Sequence, residues 1–118
     1  MKAFNIITWV LTILLAVAFF GSGVTKLIGV EMQVQNIQSW GFPDWFRYPV
    51  GLGEIALAIA LIFFKPKSFV MYGIYIWAFV AILTHLQAGQ TEMTGGPLVF
   101  ALLNTVLLLS WKKSKYAR

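Results

Sequence analysis

Four long apolar runs dominate the chain, at residues 3–25, 48–64, 68–88 and 96–111, and the charged residues fall almost wholly between them. None of the runs alternates strictly between apolar and polar, as a half-buried strand does. At about 1.5 Å per residue, each is long enough to cross hydrocarbon about 30 Å thick, given modest tilt. Lipid offers backbone groups no partner, so uninterrupted runs of this kind close their own bonds as α-helices. The pattern predicts an all-α integral membrane four-helix bundle that occupies residues 1–118 as a single domain.

Local chemistry marks the ends of the runs. Lys2 and Lys26 bracket the first, and Arg47 opens the second. Lys65-Pro66-Lys67 closes the second, where Pro66, without an N–H, suits a sharp exit. Gly95-Gly96-Pro97 opens the fourth and Lys112-Lys113 ends it. Ala16-Val17-Ala18 resembles a signal cleavage site, but the run around it is longer than the about 7–15 residues of a signal core, so a retained helix is expected. In the one long loop, Val30, Val34, Ile37 and Gly41 recur at helical spacing between Gln33, Gln35 and Gln38, which predicts a short interfacial helix. The aromatic segment from Trp40 to Phe46 follows. It is expected to anchor and cap the bundle at headgroup level, and its sharper reading is a lid or docking surface.

Composition agrees with lipid as the main solvent: 59% of residues are hydrophobic and 11% charged, against about 25% charged in a soluble domain. The net charge of +5 reads as topology and not as a nucleic-acid footprint, because the basic residues flank the runs. Lys2, Lys65, Lys67, Lys112, Lys113, Lys115 and Arg118 share one side with no acid; Lys26 and Arg47 share the other with Glu31, Asp44 and Glu92. The asymmetry predicts that both termini are cytoplasmic. There is no cysteine, which excludes a thiol nucleophile, a disulfide and a thiolate metal site within the chain. No metal site is expected.

Glu54 is the most informative residue. An acid at mid-helix costs roughly 2.5–3.5 kcal/mol by insertion scales, so it should face protein. It shares a face with Gly51 and Ala58, small residues that permit close helix approach. The same test picks out Lys26, at the end of an Ala18, Ser22, Lys26 stripe, and His85, on a stripe of Ala78, Ala81 and Ala88. It also picks out Asn104, beside Ala101. By depth, Lys26, Arg47, Glu54 and His85 all belong to the outer half, so a shared cluster is expected, with Arg47 and Asn104 as candidate supporting residues. Two readings stay open. Glu54 paired with a cation pins helices together, or Glu54 and His85 handle protons or bind a ligand. One His makes a haem site improbable, and Gly51-Leu52-Gly53 has neither the strand nor the spacing of a dinucleotide fingerprint.

Four segments, taken in order, resemble the DoxX-like family of small membrane proteins. They are Phe20-Gly21-Ser22-Gly23-Val24-Thr25-Lys26-Leu27, Gly41-Phe42-Pro43, Gly51-Leu52-Gly53-Glu54-Ile55, and the stretch from Ala81 to His85. The resemblance implies a four-helix bundle in the plasma membrane with recurring polar positions at Lys26, Glu54 and His85. It also implies redox associations: subunits of a thiosulfate–quinone oxidoreductase and partners in an oxidative-stress complex. Distant eukaryotic relatives look like assembly factors for membrane receptors.

The leading expectation is an accessory subunit or scaffold in a redox or assembly process, without catalytic activity of its own, serving as a subunit of a quinone-linked oxidoreductase. Its expected partners are the bilayer, a redox enzyme or further copies of the chain, and no nucleic acid. No cofactor is evident, and a quinone head group is the one candidate ligand. The alternative is a small proton-coupled transporter using Glu54. Small multidrug-resistance proteins have a similar length and a membrane acid, but theirs lies in the first helix, which here has none. Thiol chemistry of the four-helix quinone-reducing kind is excluded for the chain itself by the missing cysteine.

Overall fold

The computed structural model describes residues 2–65 and 67–117. The exit expected at Pro66 and the charge of Arg118 lie outside the described residues. Five α-helices follow in chain order: α1 (Lys2–Ile28), α2 (Glu31–Ser39), α3 (Arg47–Phe63), α4 (Lys67–Gln87) and α5 (Gly95–Lys112). Short 3-10 turns at Asp44–Phe46 and Thr91–Thr94 lead into α3 and α5. No strand occurs among the described residues.

The four long helices are α1, α3, α4 and α5, and each, α3 and α5 taken with the 3-10 turns that lead into them, is long and apolar enough to cross a membrane. They make an all-α membrane bundle whose long axis, 46 Å, exceeds the hydrocarbon thickness of about 30 Å, so both ends project beyond it. The surface carries Ile6, Val10, Val17, Leu52, Phe79 and Leu102, while Thr8, Thr12, Lys26, Glu54, His85, Asn104 and Ser110 are buried. That inside-out distribution is what lipid selects, because polar groups there must turn inward to find partners.

The helices stand in the ring order α3–α1–α5–α4. The α1–α3 contact is the most extensive, and α3 and α4 meet only sparsely. Gly23 and Gly51 set the first of these distances. A Cβ at Gly23 would lie 2.5 Å from Gly51 O, and one at Gly51 would lie 2.8 Å from Gly23 O. Elsewhere hydrogen bonds clasp the helices: Thr8 Oγ1 to Ser110 Oγ at 3.1 Å, Lys67 Nζ to Thr12 Oγ1 at 3.3 Å, and Tyr75 OH with Thr105 Oγ1 at 2.6 Å. In lipid each such bond is worth about 0.6 kcal/mol on average.

The two halves of the bundle differ. The end bearing the termini is sealed by a close apolar core of Leu15, Phe19, Leu61, Met71, Ile74, Leu107 and Trp111. The opposite end carries α2 and both 3-10 turns, and is called the loop end below. The expected interfacial helix is α2. Its boundaries exclude Val30 and Gly41, and Ile37 is fully buried, so the helix folds over the bundle instead of only lying on its surface. Gly41 takes φ +84°, which returns Phe42 N–H to Ile37 O and Gly41 N–H to Gln38 O, the double bond of a glycine-ended helix.

Asn104 is fully buried in α5. Its Nδ2 donates to Met71 O at 2.9 Å, while Oδ1 has no partner among the described residues. An unpaired buried acceptor costs about 1–3 kcal/mol, which offsets most of what the other bond contributes. Asn104→Leu, with the same branching and no polar atom, is therefore expected to stay within about 1 kcal/mol of the parent in detergent unfolding. A larger loss would show that the amide oxygen is engaged.

Candidate functional site

Glu54 lies two turns into α3 with its side chain 2% exposed. Oε1 accepts from Lys26 Nζ at 2.8 Å and from Ser22 Oγ at 3.1 Å; Oε2 accepts from Trp77 Nε1 at 3.1 Å. Lys26 Nζ also donates to Ser22 Oγ at 2.8 Å, one helical turn back. The sequence produces this arrangement locally. α1 runs three residues beyond the expected end, so Lys26 sits inside its last turn. The Gly23–Gly51 contact then brings Ser22 and Glu54, both short side chains, within reach. A cation and two further donors on one carboxylate offset the cost of taking it out of water.

Arg47 goes elsewhere. Its Nη1 donates to the main-chain oxygens of Lys26 at 2.6 Å and Leu27 at 3.0 Å, and its Nε to Asp44 Oδ1 at 3.3 Å. The guanidinium caps the C-terminal end of α1, where carbonyls lack helical partners and the helix dipole is negative. It supports the helix that carries Lys26 but does not touch Glu54.

His85 is buried in the last turns of α4 and is held from outside the helix. Gly89, at φ +72°, reverses the chain so that Gln90 N–H returns to His85 O at 2.8 Å. The Gln90 side chain then lies beside the imidazole, its Oε1 2.9 Å from His85 Nδ1 and 2.9 Å from Trp40 Nε1. The Trp40 and His85 rings meet edge to face with centroids 5.3 Å apart. Gln87 Nε2 donates to Trp40 O at 2.9 Å, so α4 fixes the end of α2 in a second way.

These residues surround a half-enclosed, mostly apolar cavity of about 580 Å³ in the loop half. Lys26 and Glu54 form one wall and His85 another; Trp40, Phe42 and Phe46 line it from the loops. Trp77 and Phe100, with Phe19 behind them, make an aromatic floor of rings 4.8–5.5 Å apart. Its lining includes Pro49, Gly53 and Leu57 of α3 and Val80, Ala81 and Thr84 of α4, the adjacent long helices that pack least on each other. Gly53 and Val80 are exposed. The cavity thus opens to the outer surface of the bundle at the seam between α3 and α4.

Of the expected residues, Lys26 and Glu54 are in contact, His85 shares their cavity without bonding to either, Arg47 caps α1, and Asn104 lies on α5, bonded to the main chain of α4. Three partners carried weaker signals. Trp77 stands at four-residue steps from Ala81 and His85, the spacing that marks a shared face. Trp40 reads as a membrane anchor until the indole N–H is given a partner. Gln90 lies beyond the helix, where periodicity says nothing.

Residues 10–107 match the profile of the DoxX-like family. No curated protein and no solved structure matches the chain.

Proposed function

The chain belongs to the DoxX-like family, and on that premise we propose that it is an accessory membrane subunit that takes a lipophilic molecule with a polar head group from the bilayer and holds it for a partner enzyme. The observation that carries this reading is the cavity. Its volume of about 580 Å³ suits a small-molecule site, and its lining is apolar with a few convergent polar groups. Its seam lets a hydrocarbon tail remain in lipid while the head lies against Lys26, Glu54 and His85.

A quinone head group is the ligand class favoured here, with Trp77 and Phe100 to stack on a ring. Lys26 keeps one ammonium hydrogen without a partner among the described residues, and it can donate to a head-group oxygen. A quinone would carry electrons between the partner and the membrane pool; the chain's own residues bind and orient it. Without a cysteine, any thiol or sulfur chemistry belongs to the partner. The donors around Glu54 also favour a fixed wall over a carboxylate that cycles protons for transport. The lysine asymmetry supports an orientation with both termini in the cytoplasm, in the plasma membrane that the family resemblance implies.

Gly53 supplies the test. A Cβ there meets nothing within 4 Å, so a side chain fits without clash and projects into the mouth of the cavity. Gly53→Phe is expected to keep or slightly raise stability, since glycine weakens a helix interior by about 0.5–1 kcal/mol. It is also expected to abolish retention of a specific lipophilic compound in mild detergent, read by extraction and mass spectrometry alongside co-purifying proteins. Equal retention by parent and variant, or no enrichment over bulk lipid in the parent, would sink the proposal.

A further inference from the structure

We infer that the cavity selects a head group that donates a hydroxyl hydrogen, and that His85 Nε2 accepts it. The inference rests on the cavity being a ligand site and goes on to the chemistry of that ligand.

It begins with an amide. Gln90 Oε1 lies 2.9 Å from Trp40 Nε1, and an indole N–H can only donate, so the atom facing it must be oxygen. The other end of the amide gives the same orientation independently. Gln90 Nε2 is 3.1 Å from Ser39 Oγ, whose one hydrogen is already committed to Asn36 O at 2.8 Å. Ser39 Oγ is therefore an acceptor there, and the amide nitrogen must face it.

The fixed amide fixes the imidazole. The oxygen that accepts from Trp40 also lies 2.9 Å from His85 Nδ1, and two acceptors do not bond to each other, so Nδ1 carries the hydrogen. In the neutral ring Nε2 is then a lone pair. His85 lines the cavity and Gln90 does not, and Nε2 has no partner among the described residues. A residue 8% exposed thus presents an unused acceptor in a largely apolar space. A hydroxyl group satisfies it, whereas an ether or ketone oxygen at that place would set acceptor against acceptor, so within the quinone class His85 favours the reduced, hydroquinone state. Phenols, hydroquinones and alcohols are the favoured head groups. Such a site discriminates strongly, because the wrong group leaves a buried polar atom unpaired.

The chain has a single histidine, so the ring nitrogens can be read without assignment. Nitrogen NMR of ring-labelled protein in nanodiscs should show the Nδ1–H tautomer for the neutral ring, and Trp40→Phe should mix the two tautomers, since the amide is then freer to turn. A dominant Nε2–H tautomer in the parent overturns the inference. Binding is measured with 4-octylphenol and its methyl ether, 4-octylanisole, each corrected for partition into empty nanodiscs. The cavity of about 580 Å³ has room for the added methyl group. The phenol should bind about tenfold tighter in the parent, and this preference should shrink in Trp40→Phe. Equal binding of the two probes overturns the inference alone. Specific binding of neither overturns the ligand-site reading with it. Should Trp40→Phe lose its helical signal, the parent's tautomer and preference still decide.

Discussion

Lys26→Met is expected to cost the fold about 3–5 kcal/mol, and most of that should return when Glu54→Gln is added. The reason is a stranded charge. Glu54 is held two turns inside α3 with its side chain 2% exposed, and with Lys26 gone only Ser22 and Trp77 remain to serve it. A carboxylate is too short to reach the membrane surface from there. The reverse variant should be milder, because Lys26 sits in the last turn of α1 and its long stem can carry the ammonium toward the loop end. The order expected is therefore Lys26→Met worse than Glu54→Gln, with the double variant close to the milder single one. Reversible unfolding in bicelles of the parent, both single variants and the double variant gives the coupling energy directly. A coupling below about 0.5 kcal/mol, within the usual range for independent sites, would mean that the two charges do not depend on each other.

The second large effect is expected at the α1–α3 crossing. A Cβ added at Gly23 would meet Gly51 O at 2.5 Å and Ile55 Cγ1 at 2.6 Å. The carbonyl cannot rotate away, so the helices must separate. Gly23→Ala should cost about 1–3 kcal/mol by overpacking, and Gly23→Leu more. The damage should spread, since Lys26 and Glu54 each lie three residues from this contact on the same two helices. Gly21→Ala is the control: it sits in the same helix with nothing within 4 Å of its Cβ, and replacing a mid-helix glycine should be neutral or mildly favourable. Equal unfolding midpoints for the Gly21 and Gly23 variants would show that close approach does not hold this pair together.

Both predictions rest on features the sequence displays openly. An acid within an apolar run must find a partner, and small residues at helical spacing mark where helices can approach, so Glu54, Lys26 and the Gly51 face were all readable. The spans were readable for a related reason, because lipid imposes one rule on every backbone group. The destination of Arg47 was not. Its depth matched that of Glu54, but depth does not give direction, and the free carbonyls ending α1 are invisible in a hydropathy pattern. His85 illustrates a further limit. Its place on a small-residue face was evident, whereas its partner arrives through the reversal at Gly89, a matter of backbone dihedral and not of periodicity. Trp77 was hidden by its own character: a large aromatic reads as packing surface, and only its position beside a carboxylate brings out the N–H.

The division of the bundle into a sealed half and a hollow half bears on how such a protein can diversify. The side chains that hold the helices together at the terminal end, among them Leu61, Met71, Ile74 and Leu107, are not those that shape the cavity. Substitutions at Val80 or Ala81, which line the cavity and do not pack on that core, can therefore reshape what is received with little effect on the seal. A chain of this plan can exchange one lipophilic cargo for another by a few changes near its mouth, and relatives with the same framework need not share a ligand.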